Sequence, residues 1–262
     1  MERKDYPAVG EAVYQTTLRN GLKVFLLPKR DFNETYGIMT ANFGSIDTCF
    51  IPRGSNQVVQ YPAGVAHFLE HKLFEDENGQ DILQQFVKLG AESNAFTSFT
   101  KTSYLFSATD NILENVRLLQ SLLENAYFTE ESVQREQGII QQEIDMYKDN
   151  PDYCLFFHTL ANLYPDTPLA EDIAGSVESI AEITVEDLDE NFETFYHPSN
   201  MSLLLIGNFD LEKTIAVIQE QHESLKGIDE ESLIRRFPLA LNPVISTGSV
   251  RMEVASSKLA IG

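Results

Sequence analysis

The chain has 262 residues and a formal net charge of −21, from 40 acidic and 19 basic side chains. That balance excludes nucleic-acid binding, because phosphates would be repelled, and no run of about 18 apolar residues offers a membrane span. At 43% hydrophobic residues the composition is that of an ordinary globular protein, long enough for a sizeable core and for one large domain.

Asn20-Gly21 is a strong hairpin turn, and residues 16–19 and 22–27 on either side read as its strands. Residues 36–43 read as another strand, ending at Gly44. Tyr61-Pro62-Ala63-Gly64 is a turn signal, with Pro well tolerated near a helix start; Val65, Phe68, Leu69, Lys72 and Leu73 then recur at helical spacing. Residues 81–89 predict a short helix closed by Gly90. Residues 94–97 and 103–108 predict strands. Asp110 is placed to cap a helix whose Leu113, Val116, Leu119, Leu122 and Leu123 form an apolar stripe. Thr129-Glu130-Glu131 supplies an N-cap with acids in the first turn, and that helix runs to about Asn150, where Pro151 stops it. Another helix follows to about Tyr164. Thr184-Val185-Glu186-Asp187 fits a capping box that opens a helix to Tyr196. Residues 201–206 read as a buried strand, and Asp210 opens a further helix. Arg251-Met252-Glu253-Val254 alternates like a strand, and residues 258–262 begin another. Strands and helices segregate into layers, so the fold class is α+β and not a doubly wound parallel sheet.

Residues 67–71 read His-Phe-Leu-Glu-His. His67 and His71, at i and i+4, stand one above the other on a helix face. Neutral imidazoles so arranged bind one Zn²⁺ from one side. Glu70 lies beside the same ion, where a metal-bound water needs a base. The pattern inverts the better-known His-Glu-x-x-His metallopeptidase motif. Taken alone it is short enough to recur by chance, and the bland alternative is an amphipathic core helix with hydrogen-bonded histidines.

The long helix after Thr129 carries Glu136 and Glu143, two turns apart and therefore on one face, with Ile139 and Ile140 on or beside it. A carboxylate on an apolar face is costly unless a charge pairs with it. A Zn²⁺ on His67 and His71 would be that partner for Glu143. For Glu136 the plainer alternative is a solvated member of a Glu-rich helix.

His67, Glu70, His71, Glu136 and Glu143 together resemble the pattern of the insulinase, pitrilysin and mitochondrial-processing-peptidase family of zinc peptidases. In that family His-x-x-Glu-His is followed, seventy-odd residues later, by a ligand Glu with a second Glu seven positions before it. Two further blocks carry the resemblance. One is Gly90-Ala91-Glu92-Ser93-Asn94-Ala95-Phe96-Thr97 with Thr102-Ser103-Tyr104, and the other is Phe195-Tyr196-His197-Pro198-Ser199-Asn200-Met201 leading to Gly207-Asn208. Block order and spacing match over nearly the whole chain, most closely in the bacterial branch.

The resemblance implies a twisted, mainly antiparallel sheet with helices packed on one face. It implies a zinc-dependent endopeptidase acting on peptides or unfolded small proteins. His67, His71 and Glu143 would hold Zn²⁺ and leave a fourth position for water, with Glu70 as general base. Glu136 would orient a ligand from behind. Asn94 and Ala95 would lie on an exposed strand edge that a peptide extends by main-chain hydrogen bonds; the bland alternative for Asn94 is a turn residue. The resemblance also divides the chain into an N-terminal peptidase domain over 1–245 and, over 246–262, a linker and the start of a second homologous half, as in a fragment. Its partners would be a peptide substrate and that second half or a homologous subunit.

Two other functions compete. A non-catalytic subunit of a peptidase complex usually lacks parts of the zinc motif, which is intact here. A lyase of the S-ribosylhomocysteine-cleaving kind also uses His-x-x-Glu-His but takes a Cys as third ligand, and Cys154 is available. Cys49 and Cys154 form no CxxC, which favours a reducing compartment over a disulfide framework. The polar start, Met1-Glu2-Arg3-Lys4-Asp5, shows no signal peptide, and the expected location is the cytoplasm. The acidic excess reads first as solvated helix surface and second as a field that steers basic peptides.

Overall fold

The computed structural model describes residues 1–122, 126–223 and 242–262. The hairpin at Asn20-Gly21 joins β2 (Glu11–Thr17) to β3 (Lys23–Pro28), antiparallel, with Tyr14 opposite Leu26. Gly21 has φ +91°, and a Cβ there would lie 2.6 Å from that of Ser199, so the turn needs glycine both for its backbone and for this contact. Outside β2 lies β1 (Glu2–Tyr6), which periodicity does not predict because all five of its residues are exposed.

The other half of the sheet is β4 (Thr35–Ala41), β8 (Thr102–Ala108) and β7 (Ala91–Thr97), each antiparallel to its neighbour. The two halves are joined by β9 (Met201–Gly207), which runs parallel to β3 and antiparallel to β4. The order is β1-β2-β3-β9-β4-β8-β7, leaving β7 as an edge. A two-stranded sheet, β5 (Cys49–Phe50) with β6 (Val59–Gln60), lies apart. The fold is α+β with a mainly antiparallel sheet.

Side chains alternate across a strand, and the central strands show it. Met39, Ala41, Leu203 and Leu205 are buried under the helices, whereas Ile38, Leu204 and Ile206 on the other face are half-buried. The helical layer contains α1 (Val65–Lys72), α2 (Leu83–Lys88), α3 (Ile112–Ser121), α4 (Glu130–Lys148), α5 (Pro151–Leu163), α6 (Val177–Glu182), α7 (Val185–Phe195) and α8 (Leu211–Glu223). None of these is long and apolar enough to cross a membrane.

Local signals set most helix ends. Thr129 caps α4 with a reciprocal Ser132 bond, and Thr184 with Asp187 forms the capping box of α7. Asn150 caps α5, whose first residue is Pro151. One expected cap is displaced. Helix α3 starts after Asn111, which is left-handed (φ 53°), not after Asp110. Asparagine tolerates that conformation, and Asp110 offers only its carbonyl, to Asn115. Val116, Leu119 and Leu122 are buried as predicted; Leu123 lies outside the described residues. The short α6, opened by Ser176 and Ser179, was not expected.

The two terminal strands are not formed. Residues 251–254 and 258–261 belong to no element, because alternation makes a strand only where a neighbour accepts its hydrogen bonds. The segment follows α5 instead, with Ile245 N donating to Asn162 O at 2.8 Å and Lys258 Nζ 2.7 Å from Asp152.

Candidate metal centre

Helix α1 is amphipathic in a way that exposes its chemistry. Val65, Ala66, Phe68, Leu69 and Lys72 are buried, which leaves His67, Glu70 and His71 on the remaining face. Gly64, before the helix, has φ +93°, and a Cβ there would meet Ala174 O at 2.5 Å. This close approach fixes where the helix begins. The imidazole centroids of His67 and His71 are 4.6 Å apart, inclined by 64°.

Helix α4 crosses α1 with Val133, Ile140 and Ile144 in the core. Glu136 and Glu143 face the histidines. His71 Nδ1 lies 2.9 Å from Glu136 Oε1, and His71 Nε2 lies 3.4 Å from Glu143 Oε2. His67 Nε2 is 3.8 Å from the same Glu143 oxygen. A carboxylate only accepts, so Nδ1 of His71 carries a proton toward Glu136 and Nε2 turns to the centre. Among the described residues, His67, His71 and Glu143 form the one group of three potential metal ligands, with donor atoms within 4.8 Å of one another.

The electrostatics are those of a cation site. Burial, reinforced by the neighbouring His71, pushes His67 down to about 4, so its ring is neutral and offers a lone pair. Its Nδ1 is buried without a hydrogen-bond partner among the described residues. Burial opposes the charge on His71 too, but hydrogen bonds to Glu136 and Glu143 outweigh it and raise the group to about 9. The bond from His71 holds Glu143 below the usual carboxylate range. Two imidazole nitrogens and one carboxylate oxygen, converging in a half-buried cleft, fit Zn²⁺.

Glu70 stands apart from that donor group. Burial raises its pKa, partly countered by the Thr97 hydroxyl, which donates to Glu70 Oε2 at 2.6 Å. Asn94 and Ala95 lie on the edge strand β7, and with Glu70, His71, Glu136 and Phe74 they line one cleft of 490 Å³. Ala95 is half-buried; Asn94 is exposed, its side-chain oxygen accepting from Ala95 N at 2.8 Å.

Thr97 was not singled out from sequence. The signal was its place two residues after Ala95, on the same face of β7 as Ser93 and Ala95. Cys154 is no ligand here: its Sγ meets Lys148 O at 3.2 Å, outside the donor group, which removes the observation that favoured a lyase. Tyr196-His197-Pro198 forms a corner before a 3-10 turn, with Tyr196 bonded to Tyr104 at 3.0 Å and His197 Nδ1 to Ser199 Oγ at 2.8 Å. Both cysteines are free.

Residues 47–177 match the family model described as insulinase (peptidase family M16), and residues 182–262 match that described as peptidase M16 inactive domain. His67, Glu70, His71, Glu136 and Glu143 all fall within the first match. The chain is 45% identical over 259 residues to a Bacillus subtilis protein named as an uncharacterized zinc protease, YmfH, covering 98% of this chain and 60% of that one. It is 31% identical over 218 residues to an uncharacterized zinc protease of Mycobacterium leprae, covering 81% and 46%. It thus spans 60% or less of the length of these relatives. A crystallised protein described as an M16-like peptidase, from Alicyclobacillus acidocaldarius, superposes with TM-score 0.82 at 39% identity, over 89% of this chain and 54% of that one. A protease from Helicobacter pylori shares the fold at TM-score 0.74 and 24% identity, over 85% and 52%.

Proposed function

The chain belongs to the insulinase family of peptidases, M16, and from that membership we propose that it is a zinc-dependent endopeptidase acting on peptides or unfolded small proteins. The observation that carries the reading is the convergence of His67 Nε2, His71 Nε2 and Glu143 Oε2 beside a separately held Glu70.

His67, His71 and Glu143 would hold the metal, and Glu136 would keep the His71 ring turned toward it. When bound, Zn²⁺ supplies Lewis acidity toward a carbonyl oxygen and lowers the pKa of a coordinated water. Glu70 takes the proton of the attacking water on its carboxylate and passes it to the leaving nitrogen. Its burial favours this, since a carboxyl with a raised pKa can hold a proton between the two transfers. A peptide laid along the free edge of β7, at Asn94 and Ala95, gains main-chain hydrogen bonds there.

One strand edge encloses little of a substrate, and each such bond contributes only about 0.5–1.5 kcal/mol net. A second homologous half, or a homologous subunit, would complete the enclosure. The net charge of −21 supports a preference for basic peptides.

The test compares zinc-loaded and chelator-treated protein on an unstructured peptide, with zinc then restored. The expected result is cleavage that disappears with the metal and returns with it. Cleavage indifferent to the chelator, or none by zinc-loaded protein in either the presence or the absence of a homologous half, would overturn the reading.

A further inference from the structure

Edge strand β7 carries a functional group besides its main chain. Thr97, its last residue, donates its hydroxyl to Glu70 Oε2 at 2.6 Å, a length typical of a charge-assisted bond. The direction of this bond is fixed by its surroundings. A carboxylate only accepts. The nearest other hydroxyl is that of Thr102, 3.4 Å from Thr97 Oγ1, and it already donates to the Phe43 carbonyl at 3.0 Å. Thr97 is therefore left with its one proton for Glu70. The buried hydroxyls of Tyr104 and Tyr196 lie near enough to feel the Glu70 charge, yet they bond each other at 3.0 Å.

We propose that Thr97 is a positioning residue for Glu70. Its hydroxyl ties Oε2 of the carboxylate to the sheet at 2.6 Å, beside a backbone interaction that Thr97 also makes with Glu70, and so sets the direction in which the carboxylate faces the water and the leaving group. A glutamate side chain is rotamer-rich, and the helix backbone alone holds only its Cα. A base displaced by about an ångström loses much of its effect. The same strand offers its edge to the peptide, so the anchor and the substrate share one rigid element. The inference rests on the peptidase reading of this site.

The experiment uses zinc-loaded protein as wild type, Thr97→Val, which keeps the branched shape without the hydroxyl, and Thr97→Ser, which keeps the hydroxyl. Zinc content, kcat and KM on an unstructured peptide, and the crystal structure of each are compared. Thr97→Val is expected to keep its zinc and its KM and to lose about 10- to 100-fold in kcat, as for a bond to a charged group. Its Glu70 carboxylate, left with only the Thr97 backbone interaction, should shift from the wild-type position. Thr97→Ser should restore both. Should Thr97→Val fail to fold, Thr97→Ala is the second hydroxyl-free variant. Wild-type kcat in a hydroxyl-free variant, failure of serine to rescue, or an unmoved Glu70 in the hydroxyl-free structure would each overturn the proposal. If zinc-loaded wild type cleaves nothing, the peptidase reading falls, and the position of Glu70 in the three structures still decides the role of Thr97.

Discussion

Glu136 meets His71 through Nδ1 at 2.9 Å, on the side of the ring away from Glu143. That contact sets which nitrogen faces the donor group. Glu136→Gln is therefore expected to weaken zinc binding by about 10- to 100-fold, the usual consequence of losing an outer partner of a ligating histidine. Competition against a chromophoric chelator measures it. An unchanged affinity would make Glu136 a bystander.

The ligands themselves should behave differently. One zinc per chain is expected in protein purified without chelator, falling to near zero in His71→Ala and in Glu143→Gln. Metal analysis at equal protein concentration checks this. Equal zinc in wild type and His71→Ala would show that the ion, if present, sits elsewhere.

Glu70→Gln should keep its metal and lose about 10²–10⁴-fold in hydrolysis, as expected for removal of a general base. Zinc content and initial rates on the same preparation provide the comparison. Loss of zinc in this variant would mean that Glu70 serves as a ligand.

A fourth prediction concerns stability. Lys72 has a fully buried side chain and pairs with Glu75, which also pairs with Arg135. Burial alone would raise the pKa of Glu75, but the bonds to Lys72 and Arg135 outweigh it and hold the group below the usual range. A carboxylate depressed in the folded state contributes stability that is full above its unfolded value, about 4.5, and is lost as pH falls through the folded one. Glu75→Gln strands the buried ammonium and should cost about 3 kcal/mol near neutral pH. The difference should shrink as pH falls through the depressed folded pKa of Glu75, where wild type also loses the charge. Guanidinium unfolding at several pH values tests both parts, and a pH-independent difference would count against the ion-pair explanation.

His67, Glu70 and His71 were legible because helical periodicity puts i, i+3 and i+4 on one face whatever surrounds them. Glu143 and Glu136 were legible as a pair by the same logic, and the cost of a carboxylate on an apolar face pointed Glu143 to the histidine metal, but that Glu136 stands behind His71 is a tertiary fact that only the family resemblance suggested. Thr97 was not legible as a partner of Glu70. The two are 27 residues apart, and nothing local says that β7 ends beside α1. The strand β1 escaped because a strand exposed on both faces has no alternation to read. The insertion of β9 between β3 and β4 escaped because a hydrophobic run records burial and not its neighbours. Residues 251–254 failed in the opposite sense: the alternation is there, but among the described residues no strand pairs with it.

The place of β9 has a consequence for how the molecule is made. Strands β3 and β4 touch through β9 and not each other. During synthesis β1–β3 and β4, β7 and β8 have no strand to join them until residue 207 emerges, well after α1 and α4. The closing step is long-range on both sides, antiparallel to β4 and parallel to β3, and such pairing is intrinsically slow, while domains fold as units as synthesis proceeds from the N-terminus. Zinc capture by the nascent chain should therefore be weak before β9 arrives and tighten abruptly once it does. Ribosome-stalled chains whose exposed portion ends before Met201 or after Gly207 would show this as a difference in zinc retention and in protease resistance.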